Sequence, residues 1–280
     1  MVKIIADSTC DLSKDLLERF DIDVIPLHIH LGEDEYLDGV NITPDEIYAW
    51  SDANNATPKT SAASIADAIS TLEKYPNDEV IIFTISGSMS TTINVMRLAA
   101  EDLEREDSVY VVDSKNLSTG NGLLVLEAAQ MAKDGMAAAD IVAAIENIIP
   151  KVRASFVVDT LTFLHRGGRC SGIAALAGGA LKLHPQLNVI DGAMVPGRKY
   201  RGHMQKVIMS YVKDMEADLL SARKNRVFLT HSGCEQEVLD EVYAYLKDLN
   251  KFDEICITRA GGVISSHCGP GTLGVLFIAE

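Results

Sequence analysis

The order of apolar runs constrains this chain more than any other feature. Across the first 135 residues, short β-rich segments at 2–6, 23–31, 79–85 and 108–112 are each followed by a polar stretch and then a helical pattern. The helical patterns fall at 14–20, 43–50, 62–75, 93–104 and up to about residue 132. Ser13 is placed to cap the first. Thr43-Pro-Asp-Glu46 has the spacing of a capping box with proline at the first helical position. Strands that alternate with helices cannot be joined by tight hairpins, so the pattern predicts a mostly parallel sheet covered on both faces. Ligands of such sheets sit beyond the carboxyl ends of the strands. The polar segments at 60–64, 86–92 and 113–122 are expected there.

After a helix predicted at 138–152 the texture changes. A strand at 155–160, a glycine-rich run at 165–172 and a small-residue helix at 173–182 lead into a hairpin over 187–201. Helices at 204–220 and 235–249 and strands at 226–230, 254–259 and 273–279 complete the chain. Hairpins mixed with helices suggest a second, α+β domain with a mixed or antiparallel sheet. The expected division is 1–152 for the N-terminal α/β domain and 153–280 for the C-terminal one, with a ligand cleft between them.

Charge weighs against several functions. The 25 Lys and Arg against 40 Asp and Glu give −15, which repels nucleic-acid backbones and anionic bilayers, so any bound anion needs a local set of donors. Cysteines at 10, 170, 234, 256 and 268 are odd in number and contain no C-x-x-C, which favours a reducing compartment over a disulfide framework or zinc knuckle. The N-terminus reads as a first strand and no run is long enough to span a bilayer, so a cytoplasmic protein is expected. His28-x-His30 would share a strand face, but without further ligands no metal site is expected.

The polar segments offer candidate chemistry. Thr60, Ser61 and Ser64 can be helix caps, or donors to a bound anion at a helix N-terminus. Ser86-Gly-Ser-Met-Ser-Thr-Thr92 has five hydroxyl residues in seven, more than one cap requires. Ser114, Ser118, Gly120 and Gly122 follow the fourth strand, where the glycines are read either as turn residues or as part of a pocket wall. Arg166 and Arg169 flank a glycine run that matches no nucleotide fingerprint and is read as a tight turn or as a docking patch. His267, beside Ser266 and ahead of Gly-Pro-Gly271, is expected at a loop end where it can donate to a carboxylate.

Taken together, Asp7-Ser-Thr-Cys-Asp11, Thr60-Ser61, the segment 86–92, Asp113-Ser114 with Ser118, Gly120 and Gly122, the segment 164–171 and Ser266-His-Cys-Gly-Pro-Gly271 resemble the DegV family nearly end to end. These are fatty-acid-binding proteins that serve bacterial fatty acid kinase. The resemblance implies a long-chain fatty acid such as palmitate, stearate or oleate as ligand and no other cofactor. It implies that Thr60, Ser90 and His267 hold the carboxylate, with Ser61, Thr91, Ser114, Ser118, Gly120, Gly122, Arg169 and Ser266 near the pocket. It also implies a kinase catalytic subunit as partner, docked through Arg166 and Arg201, and a possible downstream acyltransferase. Thr91 stands where the family usually has glycine, and Ala63 where proline is common. Burial of a sixteen-carbon tail can contribute on the order of 10 kcal/mol at about 0.8 kcal/mol per methylene. The competing readings are a serine hydrolase using Ser90, His267 and Asp7 or Asp113, and a phosphotransferase, for which no nucleotide motif is present.

Overall fold

The structure, a computed structural model, describes residues 1–168 and 183–280. The helix expected at 173–182 and the candidate Arg169 lie outside the described residues.

Four strands form a wholly parallel sheet: β1 (Val2–Asp7), β2 (Ile22–Ile25), β6 (Glu79–Thr84) and β7 (Val109–Asp113), in the order β2-β1-β6-β7. Period-two alternation divides its side chains between two cores. Ile4, Ala6, Ile81 and Phe83 face α1 (Lys14–Phe20), α5 (Thr119–Lys133) and α6 (Ala138–Ile148). Ile5, Val80 and Ile82 face α3 (Ile65–Leu72) and α4 (Thr92–Asp102).

The stretch expected as one strand over 23–31 is two strands in two sheets. Pro26 has no N–H to extend the ladder. The chain leaves the parallel sheet after Ile25 and resumes as β3 (His28–Leu31), between β4 (Asp34–Leu37) and β5 (Lys59–Ser61) in a small antiparallel sheet. Neither β4 nor β5 was expected, because both are short and polar. The Thr43 capping box forms in full and opens α2 (Pro44–Asn54).

The second sheet has the order β10-β9-β8-β13-β11-β12, formed by β8 (Val152–Val157), β9 (Leu183–Ile190), β10 (Ala193–Arg201), β11 (Ala222–His231), β12 (Ile255–Arg259) and β13 (Leu273–Ala279). All its pairings are antiparallel except β11 with β12. The expected hairpin is therefore present. The long helix expected over 204–220 is broken into α8 (Met204–Asp214) and α9 (Glu216–Leu220). These and α10 (Gln236–Asp248) cover one face. On the other face Ala154, Phe228, Leu276 and Ile278 pack into the same core as α5. This is a two-domain α/β fold in which α5 lies between the two sheets, which explains why Leu123, Leu124, Val125 and Leu126 are all buried although they point around the whole helix.

Gly120 and Gly122 sit in the first turn of α5, not in a loop. A Cβ on Gly122 would lie 2.7 Å from the Cys10 carbonyl oxygen, and one on Gly120 would lie 2.8 Å from Asn116 Oδ1 and 3.2 Å from Ala154 Cβ. Their smallness lets α5 seat against both halves of the molecule. Gly122→Ala is expected to lower stability by about 1–3 kcal/mol in urea unfolding, because backbone cannot yield as a side chain can; an unchanged midpoint would show that the helix seats with slack.

Candidate functional site

Three polar arms converge at the carboxyl end of the parallel sheet. The first is β5, which carries Thr60 and Ser61. Because α3 begins only at Ile65, Thr60 is a strand residue and not a helix cap. The α3 N-terminus is capped by its own box, Ser64 with Asp67. β5 is held in register against β3, where His30 Nε2 and Ser61 Oγ lie 2.9 Å apart. His28 on the same strand contacts Glu35 and, at 2.9 Å, Asp67. Burial opposes its charge, but the two carboxylates prevail and raise its pKa. The His28-x-His30 pair is thus occupied by protein partners. Among the described residues no cluster of three or more His, Cys, Asp or Glu side chains is placed to hold a metal.

The second arm is the loop between β6 and α4. The buried Ser86 organises it: its carbonyl accepts from Met89 N and Ser90 N at 2.9 and 3.1 Å, and its hydroxyl donates to the Gly192 carbonyl at 2.7 Å. Gly192 is in the turn between β9 and β10, so the loop is tied across to the second domain. Ser90 Oγ lies 2.8 Å from Thr92 Oγ1 and accepts from Thr92 N at 3.3 Å. Thr91 is exposed at the mouth.

The third arm is α11 (Gly262–Cys268). The sequence suggested a loop end for His267, but the residue lies in the last turn of this buried helix. Three glycines around the segment concealed a helix from a reading by propensity. Its N-terminal N–H groups are held by two buried carboxylates. Asp11 Oδ1 accepts from Gly261 N at 2.8 Å, and Asp38 Oδ1 from Gly262 N at 2.7 Å. The other oxygen of Asp11 accepts from Ser118 at 2.5 Å, and that of Asp38 from Ser8 at 2.8 Å. Asp7 accepts from Thr9 and from Ile85 N, the latter at 2.7 Å. Burial raises the pKa of all three: Asp7 is pushed up to about 6, Asp11 lies well above the usual carboxylate range, and Asp38 is raised.

The arms meet around a cavity of about 410 Å³ whose wall includes Thr60, Ser61, Ser90, Thr91 and His267. His267 Nε2 lies 2.7 Å from Thr60 Oγ1. The rest of the wall includes apolar side chains from both domains, Leu27, Leu117, Leu164, Met194 and Ile264. The other candidates lie elsewhere. Ser114 bonds Asn116, Ser118 bonds Asp11 and Ser266 bonds back to the Gly262 carbonyl; all three are buried structural groups. Arg201 is exposed at the end of β10. Arg166 ends α7 (Thr162–Arg166), and its side chain lies outside the described residues.

Two functional positions escaped the sequence. A Cβ on Gly167 would collide with the His267 ring, so this glycine serves close approach as well as the turn that Gly168 makes at φ +71. Asp38 had no motif to mark it, being an acid in a polar stretch. Among the described residues, the groups named for a serine-hydrolase relay face other partners: Ser90 bonds Thr92, His267 bonds Thr60, Asp7 faces Thr9 and Ile85, and Asp113 accepts from Gly87 N and Lys115 N.

The carboxylates give a pH prediction with a definite sign. A carboxyl whose pKa is higher in the folded than in the unfolded state binds more proton when folded. It therefore favours folding at low pH, and this contribution is lost as pH rises through the folded value. For Asp7 the window is about 4 to 6. For Asp11 it starts at the same lower limit. Asn at position 11 keeps an acceptor for Gly261 N and a partner for Ser118 without the charge. The stability of Asp11→Asn relative to the parent should therefore increase as pH rises above about 4, measured as the difference between paired denaturation curves so that other groups cancel. Asp11→Ala, which strands both donors, should lose about 2–4 kcal/mol. A pH-independent difference for the Asn variant would show that Asp11 is not buried as a costly charge.

Comparison with known proteins agrees with this architecture. Residues 1–280 match the profile of the DegV family, described as uncharacterised proteins. A relative from Thermotoga maritima named fatty acid-binding protein is 32% identical, over 98% of this chain and 96% of its own. A solved DegV family protein from Thermus thermophilus, described by its fatty acid binding, is 30% identical, with a TM-score of 0.91 over 100% of this chain and 99% of its own. A stearic acid-binding protein from Eubacterium ventriosum is 28% identical, with a TM-score of 0.86 over 100% and 98%. With a full-length profile match and a full-length relative above 30% identity, the chain belongs to the DegV family.

Proposed function

We propose that this protein binds a long-chain fatty acid, holding its carboxylate at Thr60, Ser90 and His267 and its tail in the apolar part of the same cavity. The observation that carries the reading is one cavity whose wall combines the Thr60 and Ser90 hydroxyls and the His267 imidazole with aliphatic side chains from both domains. A carboxylate needs hydrogen-bond donors there, and the hydroxyls together with the imidazole of His267 supply them. The tail needs dry walls, which Leu117, Leu164, Met194 and Ile264 supply. The fatty acid ligands of the Thermus and Eubacterium relatives support the same class. The domain division near residue 152, where strands begin to join the second sheet, forms part of this reading, since the ligand then lies between the two bodies.

The finer role is that of a carrier and not an enzyme. In it the tail stays enclosed in the cytoplasm while a partner kinase phosphorylates the head group, and a downstream acyltransferase uses the acyl phosphate. Thr91 at the exposed mouth and the basic run ending at Arg201 fit a docking face around the head group, with Arg166 as a further candidate. Arg198 in that run is paired with Asp214 at 2.6 Å, which leaves Lys199 and Arg201 the more available cations. Among the described residues no helix is long and apolar enough to cross a membrane.

Native mass spectrometry of the purified protein, followed by solvent extraction, tests the ligand. A near-stoichiometric adduct that extracts as fatty acid is expected. Ser90→Ala and His267→Ala should each reduce the occupied fraction several-fold at unchanged fold, about 1–2 kcal/mol per lost charge-assisted bond. Gly167→Ala should do the same by displacing the His267 ring. Full occupancy in all three variants would refute the head-group assignment. Protein that is empty and refuses added palmitate or oleate would refute the ligand class. Phosphorylation of bound fatty acid by a fatty acid kinase, and its loss in Arg201→Glu with lipid retained, tests the carrier role.

A further inference from the structure

Thr60 and Ser61 belong to a strap, residues 60–64, that leaves β5 and ends at the N-terminus of α3. Thr60, Ser61 and Ala62 all line the cavity, so the placement of this strap sets the geometry of the first arm. Its inner side is fixed by packing. Thr60 lies opposite Ile29 in the β3–β5 register, and the buried Ile29 shares a core with Val263 of α11. Successive residues of a strand alternate between faces, so His28 and His30 of β3 stand on the outer face.

Each of these histidines holds one end of the strap from outside. His30 Nε2 lies 2.9 Å from Ser61 Oγ, where β5 ends. His28 Nε2 lies 2.9 Å from Asp67 Oδ2. The same Asp67 oxygen accepts from the Ser64 hydroxyl and, at 3.0 Å, from Ser64 N, which closes the cap of α3. The other ring nitrogen of His28 contacts Glu35 on β4. Glu35, His28, Asp67 and Ser64 thus form one ladder from the far strand of the small sheet to the end of the strap.

The whole ladder needs a charged imidazole. Both ring nitrogens face carboxylate oxygens, and only an imidazolium donates from both. A neutral ring turns a lone pair toward one carboxylate, so one rung is lost whichever tautomer forms. Among the described residues, the ionisable groups in contact with the ring are Glu35 from β4 and Asp67 from α3. Lys59 of β5 lies opposite His30, not His28. Burial opposes the charge, but the hydrogen bonds to Glu35 and Asp67 outweigh it and raise the pKa. The ladder is therefore intact below that raised value and opens as pH rises through it.

We propose that His28 is a positioning residue for the head-group strap: protonated, it holds Thr60 and Ser61 in the binding geometry, and loss of its proton speeds release of the bound acid. This rests on the fatty-acid reading above. By linkage, a ligand that favours the protonated ring must in turn raise the pH at which His28 titrates.

The test is a pair of pH profiles. The dissociation rate of a fluorescent fatty acid is measured in the parent and in His28→Gln, which carries no charge to lose. Any titration at the head group is common to both, so the difference between the profiles belongs to His28. Relative to His28→Gln, release from the parent should speed up about three- to tenfold between about pH 6 and 8. Asp67→Asn keeps an acceptor for Ser64 and removes one of the two carboxylates, so its step should move to lower pH. The His28 Cε1–H resonance, assigned by its absence in His28→Gln, should titrate at higher pH in loaded than in empty protein. Parallel profiles, or a His28 midpoint unmoved by loading, overturn the proposal and leave the fatty-acid reading standing. If the parent takes up no fatty acid, that reading falls and amide exchange of residues 62–65 decides the clamp alone. Exchange that rises with pH more in the parent than in His28→Gln upholds the clamp; an equal rise overturns it.

Discussion

The site depends on two carboxylates that take up the N–H groups at the start of α11. Asp11 and Asp38 are buried, and burial alone penalises their charge. They are tolerated because each bridges two elements: Asp11 joins Gly261 to Ser118 at the head of α5, and Asp38 joins Gly262 to Ser8. A seven-residue helix has little stability of its own. Clamped in this way, α11 places His267 against Thr60 and turns Val263, Ile264 and Cys268 into the cavity. Asp7, in the same N-terminal string, holds Ile85 N at the start of the serine-rich loop. The segment Asp7-Ser-Thr-Cys-Asp11 is therefore an internal fastening for two of the three arms and lies outside the cavity wall.

The rest of the molecule makes those fastenings rigid. α5 is packed between the two sheets and shares one continuous core with strands of both, so the domains do not meet through a thin polar interface alone. Further ties cross between them around the rim. Glu254 bonds Arg19 and Arg226, Glu127 bonds Arg223, and Tyr48 donates to the Ser232 carbonyl at 3.1 Å. Ion pairs at a partly solvated rim contribute little individually. Their effect is to fix the relative placement of walls that the shared core already holds close.

Some features were legible because they are local. The βα alternation gave the parallel sheet, the Thr43 box gave the start of α2, and the hairpin over β9 and β10 was visible in its alternation. Other features were not. The break at Pro26 reads equally well as a bend within one strand, and only pairing in space shows β3 leaving for another sheet. β5 is three polar residues that become a strand solely because β3 offers an edge. α11 opens on a glycine because the backbone at Gly262 presses against Asp38, Ile29 and Ile47, which outweighs that residue's poor helix propensity. Among the candidate residues, those that now line the cavity and those that serve as struts carry the same hydroxyl chemistry, so Ser90 and Ser114 could not be distinguished by type.

The sequence by itself determined the class of fold, the family and the chemistry available: hydroxyls and a histidine at loop and helix ends, ample aliphatic side chains, and an overall charge that disfavours nucleic acid. Periodicity, capping and composition are written residue by residue and need no third dimension. The tertiary structure decided which of those groups face one another. Thr60 and His267 are 207 positions apart and 2.7 Å distant, and the glycine that admits the imidazole lies a hundred positions from it in the chain. Such meetings depend on how helices seat on sheets, a property of volumes and close packing that no single stretch of sequence contains.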